Sequence, residues 1–194
     1  MKELVFATNN QYKADEVGRL LSGEYKVLSL KDIGCDVDIV EDGHTFAENA
    51  ALKSRYVVQH FSLDCFGDDS GLEVVALNNE PGIYSARYSG SRGDQTNMEL
   101  VLKKLQGVSD RRARFRTVIC LSKGDQDYFF EGAIEGEIRE APVGDQGFGY
   151  DPIFQPNGYD KTFAEMTTTQ KNEISHRAIA MRKLIEFLKA APAF

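Results

Sequence analysis

No apolar run in the 194-residue chain approaches the roughly 20 residues that a membrane-spanning helix requires. The N-terminal MKELVFAT enters a strand pattern at once, without the longer apolar core and small-residue cleavage site of a secretory signal, so a cytoplasmic location is the default expectation. Cysteine is scarce: Cys35, Cys65 and Cys120 are odd in number, widely spaced and set among apolar neighbours. That argues against a disulfide framework or a cysteine metal cluster and leaves them as small core residues. Basic residues are outnumbered, with 23 Lys and Arg against 30 Asp and Glu, for a net charge of −7 and a pI near 5.1. Such a chain lacks the basic face that polymeric nucleic acid demands, so any anionic partner must be small and locally held. The pattern G-x-x-x-x-G-K-[ST] is absent, which excludes a P-loop, and no His/Cys grouping has zinc spacing.

What is present is ordinary soluble composition, 42% hydrophobic and 27% charged, over a length that suits one well-packed domain. Residues 1–194 are expected to form that single domain. ELVFA at 3–7 reads as a buried strand, and from Ala14 the spacing of Val17, Leu20 and Leu21 has helical period. T-F-A-E at 45–48 is a capping box and predicts a helix to about Gln59. SLDCFGDDSG reads as a short strand broken by two aspartates and a glycine, with LEVVAL as a further strand, so the acidic pair is expected at a strand junction. A helix is expected near 97–106, then a hairpin of RFRTVICLS and YFFEGAIEGEIRE about KGDQD. The glycine-rich 141–152 reads as a functional loop, and Ala178, Met181, Ile185 and Leu188 mark a closing amphipathic helix from Ile174. Strands alternating with helices, followed by an antiparallel pair, imply a mixed α/β sheet.

Three stretches carry chemistry. In FATNNQYKADE a strand runs through a polar turn into a helix, which aims backbone N–H groups and the positive end of the helix dipole at one spot, and Lys13 adds a full charge. Thr8, Asn9 and Asn10 add hydrogen-bond donors. Local sequence leaves two readings open here, a phosphate site or a helix cap beside a solvated lysine. GDDSG can be read as a plain turn, since Asp and Ser are common turn formers, or as a site, since Asp68 and Asp69 would repel each other between buried runs unless a cation or hydrogen bonds compensated them. Magnesium, usually held by one or two carboxylates plus substrate phosphates, is the natural partner, with Glu41 or Asp42 as a further carboxylate and Glu48 as the capping partner. In ISHR, the His176–Arg177 pair reads locally as a solvated helix start.

Six motifs in order then carry a resemblance: T-N-N-x-x-K at 8–13, E-D-G-x-T-F-x-E-N at 41–49, D-D-S-G-L at 68–72, P-G-I-Y-S-A-R-Y at 81–88, F-G-Y-D-P at 148–152 and K-x-x-x-S-H-R at 171–177. Together they resemble the Ham1/RdgB group of noncanonical purine nucleoside triphosphate pyrophosphatases, over nearly the whole chain. Two positions depart from the family's pattern: Asn9 stands where glycine is usual, and Asp42 where threonine is common. The resemblance implies hydrolysis of ITP, dITP and XTP to the monophosphate and pyrophosphate with Mg2+, by a homodimer. It also implies an elongated mixed β-sheet flanked by helices, with two lobes around a central nucleotide-binding cleft. Carried over by position, Thr8, Asn9, Asn10, Gln11, Tyr12 and Lys13 would hold the phosphate chain, and Glu41 with Asp69 would bind metal. Asp69 would also accept a proton, and Ser70 would touch substrate. Phe148, Gly149, Tyr150 and Asp151 would form one wall of the base pocket, completed by Lys171, His176 and Arg177. A non-catalytic nucleotide-binding module is the competing reading, and it has no need of Glu41, Asp68 and Asp69.

Overall fold

The computed structural model describes residues 1–9, 14, 17, 18, 21 and 25–190. Asn10, Gln11, Tyr12 and Lys13, like Leu20, lie outside the described residues. The chain gathers into two compact units, Met1–Asp69 with Val118–Phe130 and Met181–Phe194, and Ser70–Thr117 with Glu131–Ala180.

The strands are β1 (Lys2–Phe6), β2 (Tyr25–Leu28), β3 (Cys65–Val74), β4 (Glu80–Pro81), β5 (Arg112–Lys123), β6 (Gln126–Ile138) and β7 (Phe154–Pro156). Their order is β2-β1-β3-β5-β6-β7, with β4 added to β3. In the first unit β1 lies parallel to both neighbours, pairing Lys2 with Tyr25 through Val5 with Leu28, and Val5 and Phe6 with Cys65 and Phe66. Consecutive residues Leu4, Val5 and Phe6 are all buried, as a parallel strand covered on both faces requires. In the second unit β4 and β7 run antiparallel to β3 and β6, so the sheet is mixed. The two-residue connection at Gly124 and Asp125 makes β5 and β6 the expected hairpin, with Gly124 at φ +53° in a turn that needs a left-handed residue.

Four α-helices have their bounds among the described residues: α1 (Phe46–Phe61), α2 (Asp94–Lys104), α3 (Thr168–Ile174) and α4 (His176–Ala190); Ala14, Val17 and Gly18 are helical as well. Helix α1 puts the small side chains of Ala50 and Ala51 against Cys120 of β5. It comes so close to β3 that a Cβ on Gly67 would lie 2.6 Å from the Ala50 carbonyl oxygen. Gly67→Ala is therefore expected to cost about 1–3 kcal/mol by overpacking, read as a lower midpoint in urea unfolding at unchanged slope. In the first unit Val5, Leu30, Val57 and the thiols Cys35 and Cys65 share one core. The second unit's core is aromatic, with Phe115, Phe154 and Phe163 packed ring to ring. All three cysteines are buried and unbridged, as expected.

Three expectations need correction. The GDDSG segment does not break a strand: β3 runs ten residues without interruption, and Val75–Leu77 is a 3-10 turn rather than strand. The aspartates stay in the strand because neighbouring side chains answer their charge, and Gly67 serves the approach of α1. Helix α2 begins three residues earlier than expected, at Asp94. The closing helix does not continue from Ile174: Ser175 is extended, ends α3 and accepts the Ala178 N–H at 3.2 Å as the start of α4. The buried stripe of α4 is accordingly Ala180, Met181, Leu184 and Leu188, with Ala178 and Ile185 only half-buried.

Candidate active site

In the first unit the site grows from the start of α1. Thr45 accepts the Glu48 N–H at 3.1 Å, and the Glu48 carboxylate reaches past it to the His44 N–H at 2.6 Å, so Glu48 is committed to the cap. Asn49, one residue on and almost wholly buried, accepts the Gly43 N–H at 2.9 Å and donates its amide to Asp69 Oδ2 at 3.0 Å. It ties the 41–44 turn to β3. One turn further, at the i+4 position, Lys53 places its ammonium 2.8 Å from Glu41 Oε2. Burial alone would lower the pKa of Lys53, but Asp68, Glu41 and Asp69 outweigh it and hold the amine above its ordinary value. Asp68 is itself buried, while Glu41 and Asp69 are half-buried.

The acidic pair is thus compensated by an ammonium and an amide from one face of α1. Asn49 stood in the sequence only as the last position of the 41–49 motif, without a role, and Lys53 was not singled out, although their spacing on a helix opposite the acidic strand was the available signal. Raising a pKa on folding stabilises the protein below the unfolded value of 10.5, and that gain is lost as pH rises through the folded value. Lys53→Met is expected to cost about 1–3 kcal/mol, less than a fully buried pair because Glu41 is only half-buried. Denaturant melts of both proteins from neutral to alkaline pH should show the gap constant up to about pH 10.5 and narrowing above it.

Thr8 is half-buried where β1 ends, its carbonyl accepting the Leu30 N–H at 3.2 Å, and Asn9 is exposed. The rest of the polar turn lies outside the described residues.

The second unit brings together most of the residues assigned to base recognition. Ser70 on β3 shares a hydrogen bond of 2.7 Å with the buried Thr117 hydroxyl, and an Arg177 Nη2 donates to Ser70 Oγ at 3.5 Å. The Phe148 ring is 59% exposed, with the Lys171 ammonium 5.0 Å and the Arg177 guanidinium 6.0 Å from its centroid. Lys171 is ion-paired with buried Asp151, which also accepts the Phe148 N–H at 2.9 Å. Tyr150 is buried rather than open to a ligand: its hydroxyl donates to the Ser85 carbonyl at 2.7 Å, and burial pushes its pKa up. His176 is not the solvated helix start that its local sequence suggested. It is buried, with its ring stacked on Phe115 at 4.8 Å and 11°, because Gly132 of β6 lets the first turn of α4 come close. Chemically, this unit offers an exposed aromatic face beside two fixed cations. The first offers carboxylates suited to a hard cation and to a water molecule.

A mixed sheet flanked by helices, with clustered carboxylates on one strand and a glycine-rich aromatic loop, defines an α/β protein of enzyme-like design. A family model described as the Ham1 family matches residues 4–187, and the chain belongs to that family. A dITP/XTP pyrophosphatase of Christiangramia forsetii is 52% identical over 188 residues, covering 96% of this chain and 98% of that protein. One of Flavobacterium psychrophilum is 49% identical over 96% of this chain and 99% of its own length. Among solved structures, the Staphylococcus aureus Ham1 protein superposes with a TM-score of 0.93 at 45% identity, covering 97% of this chain and 98% of that one. A HAM1 protein from Coxiella burnetii gives 0.94 at 39% identity, over 98% of this chain and 100% of its own.

Proposed function

We propose that this chain, acting as one catalytic domain over residues 1–194, hydrolyses the noncanonical purine nucleoside triphosphates ITP, dITP and XTP to the monophosphate and pyrophosphate. The observation that carries the reading is the gathering of Glu41, Asp68 and Asp69 on the Lys53 ammonium, a charged arrangement that a mere binding module would not need. The relatives named for dITP and XTP support the substrate class.

Among the described residues no three His, Cys, Asp or Glu side chains come together to hold a metal by themselves. The donors at hand are carboxylate oxygens, which suit magnesium held by Glu41 and Asp69 and completed by substrate phosphates. When bound, that ion supplies positive charge to the phosphate oxygens. Asp69, fixed by the Asn49 amide, orients a water and takes its proton as the water oxygen bonds to the α-phosphorus. The bond from the α-phosphorus to its bridging oxygen breaks, and pyrophosphate leaves with the electron pair. Lys13, with Thr8, Asn9, Asn10, Gln11 and Tyr12 of the first turn, holds the phosphate chain, and positioning and charge supply most of the rate. The purine lies on Phe148 within the loop of Gly149, Tyr150 and Asp151, beside Lys171, His176, Arg177 and Ser70. The protein works as a cytoplasmic homodimer.

Incubating purified protein with Mg2+ and a panel of triphosphates tests the reading. Monophosphate plus pyrophosphate from ITP, dITP and XTP is expected; release of orthophosphate alone, or no turnover of any of the three, would overturn it.

A further inference from the structure

We propose that Asp94, the first residue of α2, is a positioning residue that holds the Phe148 loop in its ligand-ready shape; this rests on Phe148 being the surface on which the base lies.

Phe148 is an exposed aromatic on the loop between β6 and β7, next to the buried Tyr150 and Asp151. Its ring is 59% open, and on the side of α2 the loop backs onto a cavity of about 360 Å³ lined by Asp94, Met98, Pro142 and Phe148. The residues on either side, Gly147 and Gly149, have φ of +77° and +62°, so the backbone has more freedom there than an ordinary chain would. Something must therefore hold the two peptides that flank Phe148. The first is held from within the loop, since the Phe148 N–H donates to Asp151 Oδ2 at 2.9 Å. The second is held from outside, since the Gly149 N–H donates to Asp94 Oδ2 at 2.7 Å.

The exposed Asp94 carboxylate has no share in the core, and Gly93 precedes it as a cap residue without a side chain. Helix α2 is anchored separately: buried Asn97 accepts the Ser89 N–H at 2.8 Å, and its own N–H reaches the Gly93 carbonyl at 3.0 Å. Asp94 thus transmits the position of a fixed helix to a glycine-flanked loop. Two carboxylates, one on each neighbouring peptide, clamp one aromatic ring. Asp151 is tied to Lys171 as well, so Asp94 is the member of the pair whose described hydrogen bond goes to the loop alone.

Asp94→Ala and Asp94→Asn separate this role from a structural one, because the asparagine oxygen can accept the same N–H. With XTP, Asp94→Ala is expected to raise KM about tenfold with kcat within about threefold, the ratio that loss of one hydrogen bond to a charged acceptor gives. Asp94→Asn should stay within about threefold on both constants, and the thermal midpoint of each variant should match the wild type. Amide exchange at Gly149, followed by NMR, should quicken about tenfold in Asp94→Ala and little in Asp94→Asn. A KM for Asp94→Ala within about twofold of wild type, an unchanged Gly149 exchange, or equal impairment of both variants would overturn the proposal. If the wild type hydrolyses no triphosphate, the functional reading fails by itself, and Gly149 exchange still decides whether Asp94 holds the loop.

Discussion

Asp69→Asn is expected to lower kcat for XTP by about 10²–10⁴-fold while leaving the fold intact, since the change removes a charge and a proton acceptor at nearly constant volume. The fold should survive because Asp69 is only half-buried and the new amide can still accept the Asn49 N–H that reaches Oδ2 at 3.0 Å. Lys53 keeps Asp68 and Glu41 as partners, so the acidic group does not come apart. A steady-state assay beside a thermal melt checks both halves. A variant that melts like wild type and retains turnover within about tenfold would remove Asp69 from the role of base.

The second large effect concerns which base is accepted. Hypoxanthine and xanthine present a carbonyl oxygen at C6, whereas adenine presents an amino group, and the Arg177 guanidinium can only donate. Its Nη2 already reaches Ser70 Oγ at 3.5 Å, and its guanidinium carbon lies 6.0 Å from the Phe148 ring centroid, so it is placed beside the proposed base surface. On that placement an oxo base would complete a hydrogen bond with Arg177. Adenine sets donor against donor, at about 1–3 kcal/mol for each polar group left without its bond. Discrimination of about 10²-fold or more in kcat/KM for ITP or XTP over ATP is therefore expected in the wild type, and most of it should vanish in Arg177→Ala. A competition assay with equal ITP and ATP measures the ratio directly. Equal consumption of both by the wild type would discard the pocket assignment and leave the pyrophosphatase chemistry untouched.

Local patterning carried much of the fold. The continuous apolar run of β1, the Thr45 cap and the hairpin of β5 and β6 were legible because each is decided within a few residues, although the turn takes only Gly124 and Asp125 of the KGDQD connection expected. Strand β3 was misread because its polar centre is stabilised by side chains from α1, and tertiary partners leave no mark on local sequence. The same limit hid Lys53, whose partners lie 12 or more positions away in the chain. His176 was misjudged for a related reason. Beside Arg177 it looked solvated, but it is buried by an aromatic ring from β5 and by a close approach at Gly132, neither of which its neighbours in sequence announce. The residues assigned to base recognition stood out only through resemblance across separated motifs, since stretches around 70, 150 and 175 share no local periodicity.

The ammonium of Lys53 has a consequence for how the proposed site meets its metal. A cluster of carboxylates that relied on a dissociable ion would be whole only when that ion was bound, and folding would rise and fall with ion supply. Here a covalently tethered cation balances the cluster from the outset, so the protein can assemble in ion-poor surroundings. The tether also occupies the same oxygens, so an ion held by Glu41 and Asp69 would have to share them with the Lys53 ammonium. On the proposed function, Glu41 and Asp69 would then take up an ion only together with the phosphates of the incoming nucleotide.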